Sequence, residues 1–232
     1  MVDRANVSGS LQTMAKPRRT RDSKATPETR LIVMPGTKPK VLICILCGPE
    51  RHSWINPRLV QTLLRSAQDQ RFAVSFEFIY GSHGVDRARN LAIDKARAAQ
   101  AAWLVMFDND MTCNDPLGIL AEAEAQSLDV VSVSAGISKA EGTYQPNVDL
   151  AGERRGNFMR VSNAGAGVLM IRSSVWSKLP NAPLFLWTAG CGEDVYFCQL
   201  VQAAGFRVWT HASLAGHLKT VDLSSLLCGV RK

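Results

Sequence analysis

Behind Lys40 the chain runs Val41-Leu42-Ile43-Cys44-Ile45-Leu46-Cys47 without a polar position. Such a run predicts a central parallel strand buried on both faces. Asn56-Pro57 then supplies an N-cap and a first-turn proline, and Leu59, Val60, Leu63 and Leu64 fall on one helical stripe. Phe72, Val74, Phe76, Phe78 and Tyr80 alternate strictly, which predicts a strand. Gly81 to Gly84 reads as a loop, followed by a helix through Ala88, Leu91, Ala92 and Ala96. The apolar stretch Trp103–Phe107 is the next strand, Asp115-Pro116 opens a helix reaching about Gln126, and Asp129 to Val133 is again a strand.

The order so far is βαβαβαβ, which argues for an α/β fold with a mostly parallel sheet and helices on both faces. From Ser134 to Ser162 the period dissolves into a polar, glycine-containing stretch, so a long loop is expected there. Order returns with the strand Gly167–Arg172, a Ser173-Ser174 cap and a short helix holding Val175 and Trp176. Glu193-Asp194 opens a helix through Val195, Phe197, Cys198, Leu200 and Val201 that Gly205 ends, and Phe206 to Trp209 is a last strand. No internal repeat is visible.

Charge divides the chain in two. The net charge is +7, yet residues 1–40 hold nine Lys or Arg against three Asp or Glu, leaving the remainder nearly neutral. Residues 1–38 are therefore read as a basic, extended arm suited to a polyanion such as nucleic acid, or as a solubilising tail. Residues 39–232 are read as a single globular domain. No apolar run approaches the roughly 20 residues of a membrane-spanning helix, and the basic N-terminus has no apolar signal-peptide core. A cytoplasmic protein without a membrane span is expected. Cys44 and Cys47 form a CxxC inside a strand, where residues three apart point to opposite faces, so they read as buried hydrophobes.

Candidate chemistry collects at three places. Asp108-Asn109-Asp110 follows the Trp103–Phe107 strand directly, which sets two carboxylates at the carboxyl edge of the sheet, where open α/β folds bind ligands. Two such groups, two residues apart on one side of an extended segment, suit Mg²⁺ or Mn²⁺ with substrate phosphates completing the shell. The bland alternative is a solvated turn. Glu193-Asp194, after Gly190-Cys191-Gly192, could be mere capping charges on a helix dipole, or Asp194 could act as a general base. His217, after Gly216, is a candidate metal ligand with His211 as competitor, whereas His52 and His83 sit in loops with nothing to single them out. Arg89-Asn90 opens a helix after a glycine-containing loop, and an arginine there is a fork for phosphate or a uracil-like edge.

Together these segments, from about Lys40 to Leu218, resemble the GT-A-fold (Rossmann-like) glycosyltransferases, in particular the compact family-two-like enzymes of bacteria and bacteriophages. Ala88-Arg89-Asn90 is similar to a segment that helps hold the donor nucleotide. Asp108-Asn109-Asp110 matches the DxD, whose first Asp meets donor ribose or phosphate and whose last ligates the metal. Asn163 to Arg172 is similar to a glycine-containing strand beside the acceptor. Glu193-Asp194 matches the pair whose Asp is the base in inverting members, and His217 falls where a C-terminal His completes the metal shell.

The resemblance implies Asp194 as catalytic base. It implies Gly48, Arg89, Asn90, Asp108, Gly165 and Glu193 as substrate-binding residues, and Asp108, Asp110 and His217 as ligands of Mn²⁺ or Mg²⁺. The donor would be a nucleotide-diphosphate sugar such as a UDP-sugar. One departure is the segment after the first strand, Cys47-Gly48-Pro49-Glu50-Arg51, where many relatives carry a Pro-Thr-type turn. With the basic arm, the acceptor suggested is a 5-hydroxymethylpyrimidine of DNA, with a glycan or lipid-linked acceptor as the competitor. A non-catalytic nucleic-acid-binding protein would explain the arm but leave the Asp110, Asp194 and His217 set unused. A sugar nucleotidyltransferase would want a glycine-rich phosphate loop that Gly48-Pro49-Glu50-Arg51 does not supply.

Overall fold

The computed structural model describes residues 37–48, 55–81, 84–138, 144–146, 148–179 and 181–217. The basic arm up to residue 36, His52 and His83 lie outside them.

Strand β1 (Lys40–Leu46) pairs in parallel with β2 (Ala73–Ile79) on one side and β3 (Trp103–Asp108) on the other. Helix α1 (Pro57–Ala67) crosses from β1 to β2, and α2 (Val85–Ala98) crosses from β2 to β3. The chain thus reverses its direction of travel across the sheet at β1. The crevice outside the carboxyl ends of β1 and β3 is a topological switch point, where ligands of such sheets sit.

The rest of the chain comprises β4 (Met111–Thr112), α3 (Pro116–Ala125), β5 (Val130–Ser138), β6 (Tyr144–Pro146), β7 (Val148–Arg155) and β8 (Phe158–Ala164). It ends with β9 (Val168–Arg172), α4 (Ser173–Lys178), α5 (Glu193–Ala203) and β10 (Val208–His217). The sheet order is β2-β1-β3-β9-β5-β10-β8-β7, with β4 paired to β10 and β6 to β5. Strands β2, β1, β3, β5, β10 and β7 run one way while β9 and β8, with the short β4 and β6, oppose them, so the fold is the expected α/β sheet, mostly parallel but mixed.

Both faces are covered, as the unbroken apolar run of β1 demands. Val41, Ile43, Ile45 and Cys47 join Leu59 and Leu63 of α1 and Leu117 and Leu120 of α3 in one layer. Leu42, Cys44 and Leu46 join Ala92 and Ile93 of α2, Val175 of α4 and Phe197 and Val201 of α5 in the other. Each fully buried Leu or Ile here contributes about 1.5–3 kcal/mol. The two cysteines of the CxxC accordingly lie in different layers. Burial pushes the Cys44 thiol to about 12 and also raises that of Cys47, so both stay protonated.

Five local expectations change. The α1 face that packs inward is Leu59, Thr62, Leu63 and Ser66, while Val60 and Leu64 are exposed. The buried Thr62 hydroxyl donates to the Cys113 carbonyl at 2.9 Å, which makes a polar residue acceptable on the core face. On α2 the inward face is Arg89, Ala92, Ile93 and Ala96, and Leu91 is exposed. The stretch read as a long loop, Ser134 to Ser162, contains the end of β5, then β6, β7 and most of β8. Register shifts in the β7–β8 pair leave Phe158, Val161 and Ala164 buried at intervals of three, which hides the two-residue period. Strand β10 continues past Trp209 to His217 through an irregularity between His211 and Ala215. Ser173 and Ser174 are the first helical residues of α4 rather than its cap, and Ser174 donates to Asp129 at 2.7 Å.

Candidate active site

The acidic turn at the tip of β3 is fixed by its neighbours' backbones. The Asp108 N–H donates to the Gly167 carbonyl at 2.9 Å, and the Asn109 N–H donates to the Leu46 carbonyl at 3.2 Å. Asn56 ties it from a third side. Its N–H donates to Asn109 O at 3.0 Å, its Nδ2 reaches Asp110 O at 3.5 Å, and its Oδ1 accepts from the Arg58 N–H at 3.0 Å. A fully buried Asn56 therefore caps α1 and holds the acidic turn at once. The sequence showed only the cap. Asp108 and Asp110 are themselves half-buried.

Behind this turn lies a buried ionic clamp. Arg89 is 3% exposed, and its Nη2 donates to both carboxylate oxygens of Asp108 at 3.1 Å. Its Nη1 donates to Oε1 of Glu193, which is also buried. One guanidinium therefore joins the tip of β3 to the first turn of α5, while its Nε has no hydrogen-bond partner. Burial pushes the Glu193 carboxyl above its ordinary range, against the opposing pull of Arg89. The Phe185 ring, stacked on Phe197 with centroids 4.5 Å apart, lies 5.9 Å from the guanidinium carbon.

Asn90 works beside it. Its Oδ1 accepts from the N–H groups of Leu184 and Phe185 at 2.7 and 3.1 Å, and its Nδ2 donates to Phe185 O at 2.7 Å and Asp86 O at 2.8 Å. Arg89 and Asn90, expected at the donor nucleotide, are thus engaged in assembling the walls of the crevice. The periodic signal for Arg89 was present, since it precedes Ala92, Ile93 and Ala96 by three, four and seven residues on one helical face.

Helix α5 starts at Gly192 with its two acids turned to different tasks. Glu193 faces inward to Arg89. Asp194 is half-exposed, and its Oδ1 accepts the Val195 N–H at 2.8 Å. That bond fixes the direction of the carboxylate at the start of the helix. Gly192 is bare for a reason: a Cβ there would stand 3.1 Å from Asp194 Oδ1 and 3.5 Å from the ring of Trp187.

The last component comes from far along the chain. Strand β10 pairs antiparallel with β4, setting Gly216 opposite Thr112 and His217 opposite Met111, the residue after Asp110. A Cβ on Gly216 would meet Thr112 Oγ1 at 2.4 Å, so a side chain there would require the Thr112 hydroxyl to shift. His217 is thereby delivered by backbone register to the acidic turn. His211 lies elsewhere, buried against Phe158 with Nδ1 accepting the Ser213 N–H at 3.1 Å. Among the described residues no three His, Cys, Asp or Glu side chains converge, and the His217 side chain is not among those described. The donor set at this edge, two carboxylates with an imidazole-bearing residue beside them, is nevertheless of the kind Mn²⁺ or Mg²⁺ accepts. Gly48 sits at the exit of β1 with nothing within 4 Å of a Cβ position, and the Gly165 carbonyl accepts the Ser132 hydroxyl at 2.8 Å.

No protein-family model and no curated protein matches the chain. Solved structures do. The chain is similar to A197 from STIV, at 18% identity and a TM-score of 0.55, over 78% of this chain and 86% of that one. It is also similar to a CMP:2-keto-3-deoxy-manno-octonic acid synthetase complexed with CTP, at 17% identity and 0.49, over 84% and 97%. A third is a glycosyltransferase involved in the glycosylation of the major capsid of PBCV-1, at 12% and 0.46, over 81% and 96%. At these identities the likeness is one of fold alone, and the fold is one that A197 from STIV shares.

Proposed function

We propose that the chain is a metal-dependent glycosyltransferase that moves a sugar from a nucleotide-diphosphate sugar to an acceptor hydroxyl. The observation that carries this reading is the Arg89 clamp, which binds the DxD turn and the Glu193-Asp194 helix start into one crevice at the switch point of the sheet. Asp108, Asp110 and His217 would hold Mn²⁺ or Mg²⁺, which when bound supplies charge neutralisation for a departing diphosphate.

The chain's own residues do the rest. Asp194, oriented by the Val195 N–H, takes the proton of the acceptor hydroxyl. The acceptor oxygen bonds to the anomeric carbon, the bond from that carbon to the diphosphate oxygen breaks, and the nucleoside diphosphate leaves with the electron pair. Attack opposite the leaving group inverts the anomeric centre. Arg89 holds Asp108 and Glu193 in place without touching substrate. Gly48 leaves space at the β1 exit for the nucleotide.

The acceptor in this reading is a 5-hydroxymethylpyrimidine in DNA, supported by the basic residues concentrated before Lys40. No helix among the described residues is long and apolar enough to cross a membrane. The test is release of nucleoside diphosphate from a panel of nucleotide sugars with Mn²⁺. Turnover is expected to vanish with EDTA, return with Mn²⁺, and be lost in Asp110→Ala. Full turnover in EDTA would refute the metal, and no turnover of any sugar nucleotide would refute the reaction.

A further inference from the structure

An exposed aromatic stands beside the start of α5. Trp187 is 59% exposed and Leu186 before it 41%, whereas Trp103, Trp176 and Trp209 are buried. Position 187 is not slack. The preceding Leu184 and Phe185 are bonded through their backbones to Asn90, and Phe185 is packed on Phe197. After it the chain closes a turn in which the Thr188 N–H donates to Cys191 O at 3.1 Å and the Thr188 hydroxyl accepts from the Cys191 N–H at 3.2 Å. The Trp187 ring and the Asp194 carboxylate both lie against Gly192, 3.5 and 3.1 Å from where its Cβ would stand. A large apolar ring is thus held out to solvent beside the proposed base, on a segment anchored at both ends.

We infer that Trp187 is the stacking platform for the acceptor, and that its occupant is a pyrimidine base turned out of a DNA strand. This rests on the glycosyltransferase reading and specifies its acceptor. A base removed from its stack loses a few kcal/mol of stacking and pairing, and an aromatic face returns about 1–3 kcal/mol of it. The globular part is nearly neutral while the first forty residues are strongly basic, which divides the work: charge for the phosphates, an uncharged ring for the base.

The test is binding without donor or metal, so it does not depend on turnover. The probes are two single-stranded oligonucleotides, one with a central 5-hydroxymethylcytosine and one abasic at that position. Wild-type protein is expected to bind the first about tenfold more tightly and to show quenching of tryptophan emission. Trp187→Ala should bind both equally without that quench, and Trp187→Phe should keep most of the preference. Equal binding of the two probes by the wild type, or a preference that survives in Trp187→Ala, overturns the assignment. So does quenching by a neutral oligosaccharide but not by the oligonucleotide. Failure of sugar-nucleotide turnover with this binding pattern intact would overturn the reaction and leave the platform standing.

Discussion

Replacing Arg89 with methionine is expected to lower folding stability by about 3–5 kcal/mol, because it leaves Glu193 buried without its counter-charge. In a domain of this size that corresponds to a melting temperature roughly 10 °C lower. The same change removes the tie between Asp108 and α5, so turnover should fall even at temperatures where the variant is folded. Lysine should not rescue it. A single ammonium cannot hold both oxygens of Asp108 and reach Glu193 as the two-armed guanidinium does. The accompanying variant is Arg89→Met with Glu193→Gln. With the buried charge gone, the pair should be more stable than Arg89→Met alone, a coupling measurable by denaturant titration. An Arg89→Met protein as stable as wild type would show that the clamp is not a structural tie.

Asp194→Asn is expected to separate folding from chemistry. Asparagine keeps an Oδ1 that can accept the Val195 N–H, so the start of α5 and the melting temperature should hardly change. What it loses is the ability to accept a proton. Transfer to the acceptor should drop about 10²–10⁴-fold, with the KM for donor nearly unchanged, because Asp194 is assigned no contact with the nucleotide. Steady-state kinetics in both substrates decides this. Retention of activity within about twofold would remove Asp194 from the mechanism, and a parallel rise in donor KM would give it a binding role instead.

The half of the fold up to β5 was legible because its strands are buried on two faces or alternate cleanly, and because Asn56-Pro57 and Asp115-Pro116 mark helix starts that the structure reproduces. Between β5 and β9 the signal failed for a physical reason. Strand β7 lies at the sheet margin, and bulges shift β8 against it, so no simple period survives in Val148 to Ala164. Of the candidate places, the strand tip and the helix start are tied through Arg89, and the His217 backbone is brought beside the acidic turn by a two-residue ribbon.

What the spacing could not reveal was who holds whom. Arg89 read as a surface fork for phosphate because arginine is seldom buried, yet it occupies the first core position of α2. Asn56 and Asn90 read as a cap and a ligand-binding amide. Both prove to be ties between segments 54 and 95 residues apart, which no local pattern can disclose. Trp187 gave no periodic signal, lying in an irregular segment between elements, and gained meaning only from what stands beside it.

The central claim is that a strand-tip aspartate and a histidine from the end of β10 share one cation with a diphosphate. Its most direct test is titration of Mn²⁺ followed by electron paramagnetic resonance, with and without a nucleoside diphosphate. The wild type is expected to take up one Mn²⁺ more tightly when the nucleotide is present, and Asp110→Ala and His217→Ala should each weaken that uptake at least about tenfold. Mn²⁺ uptake that neither substitution changes, or none in the presence of any nucleoside diphosphate, would contradict it.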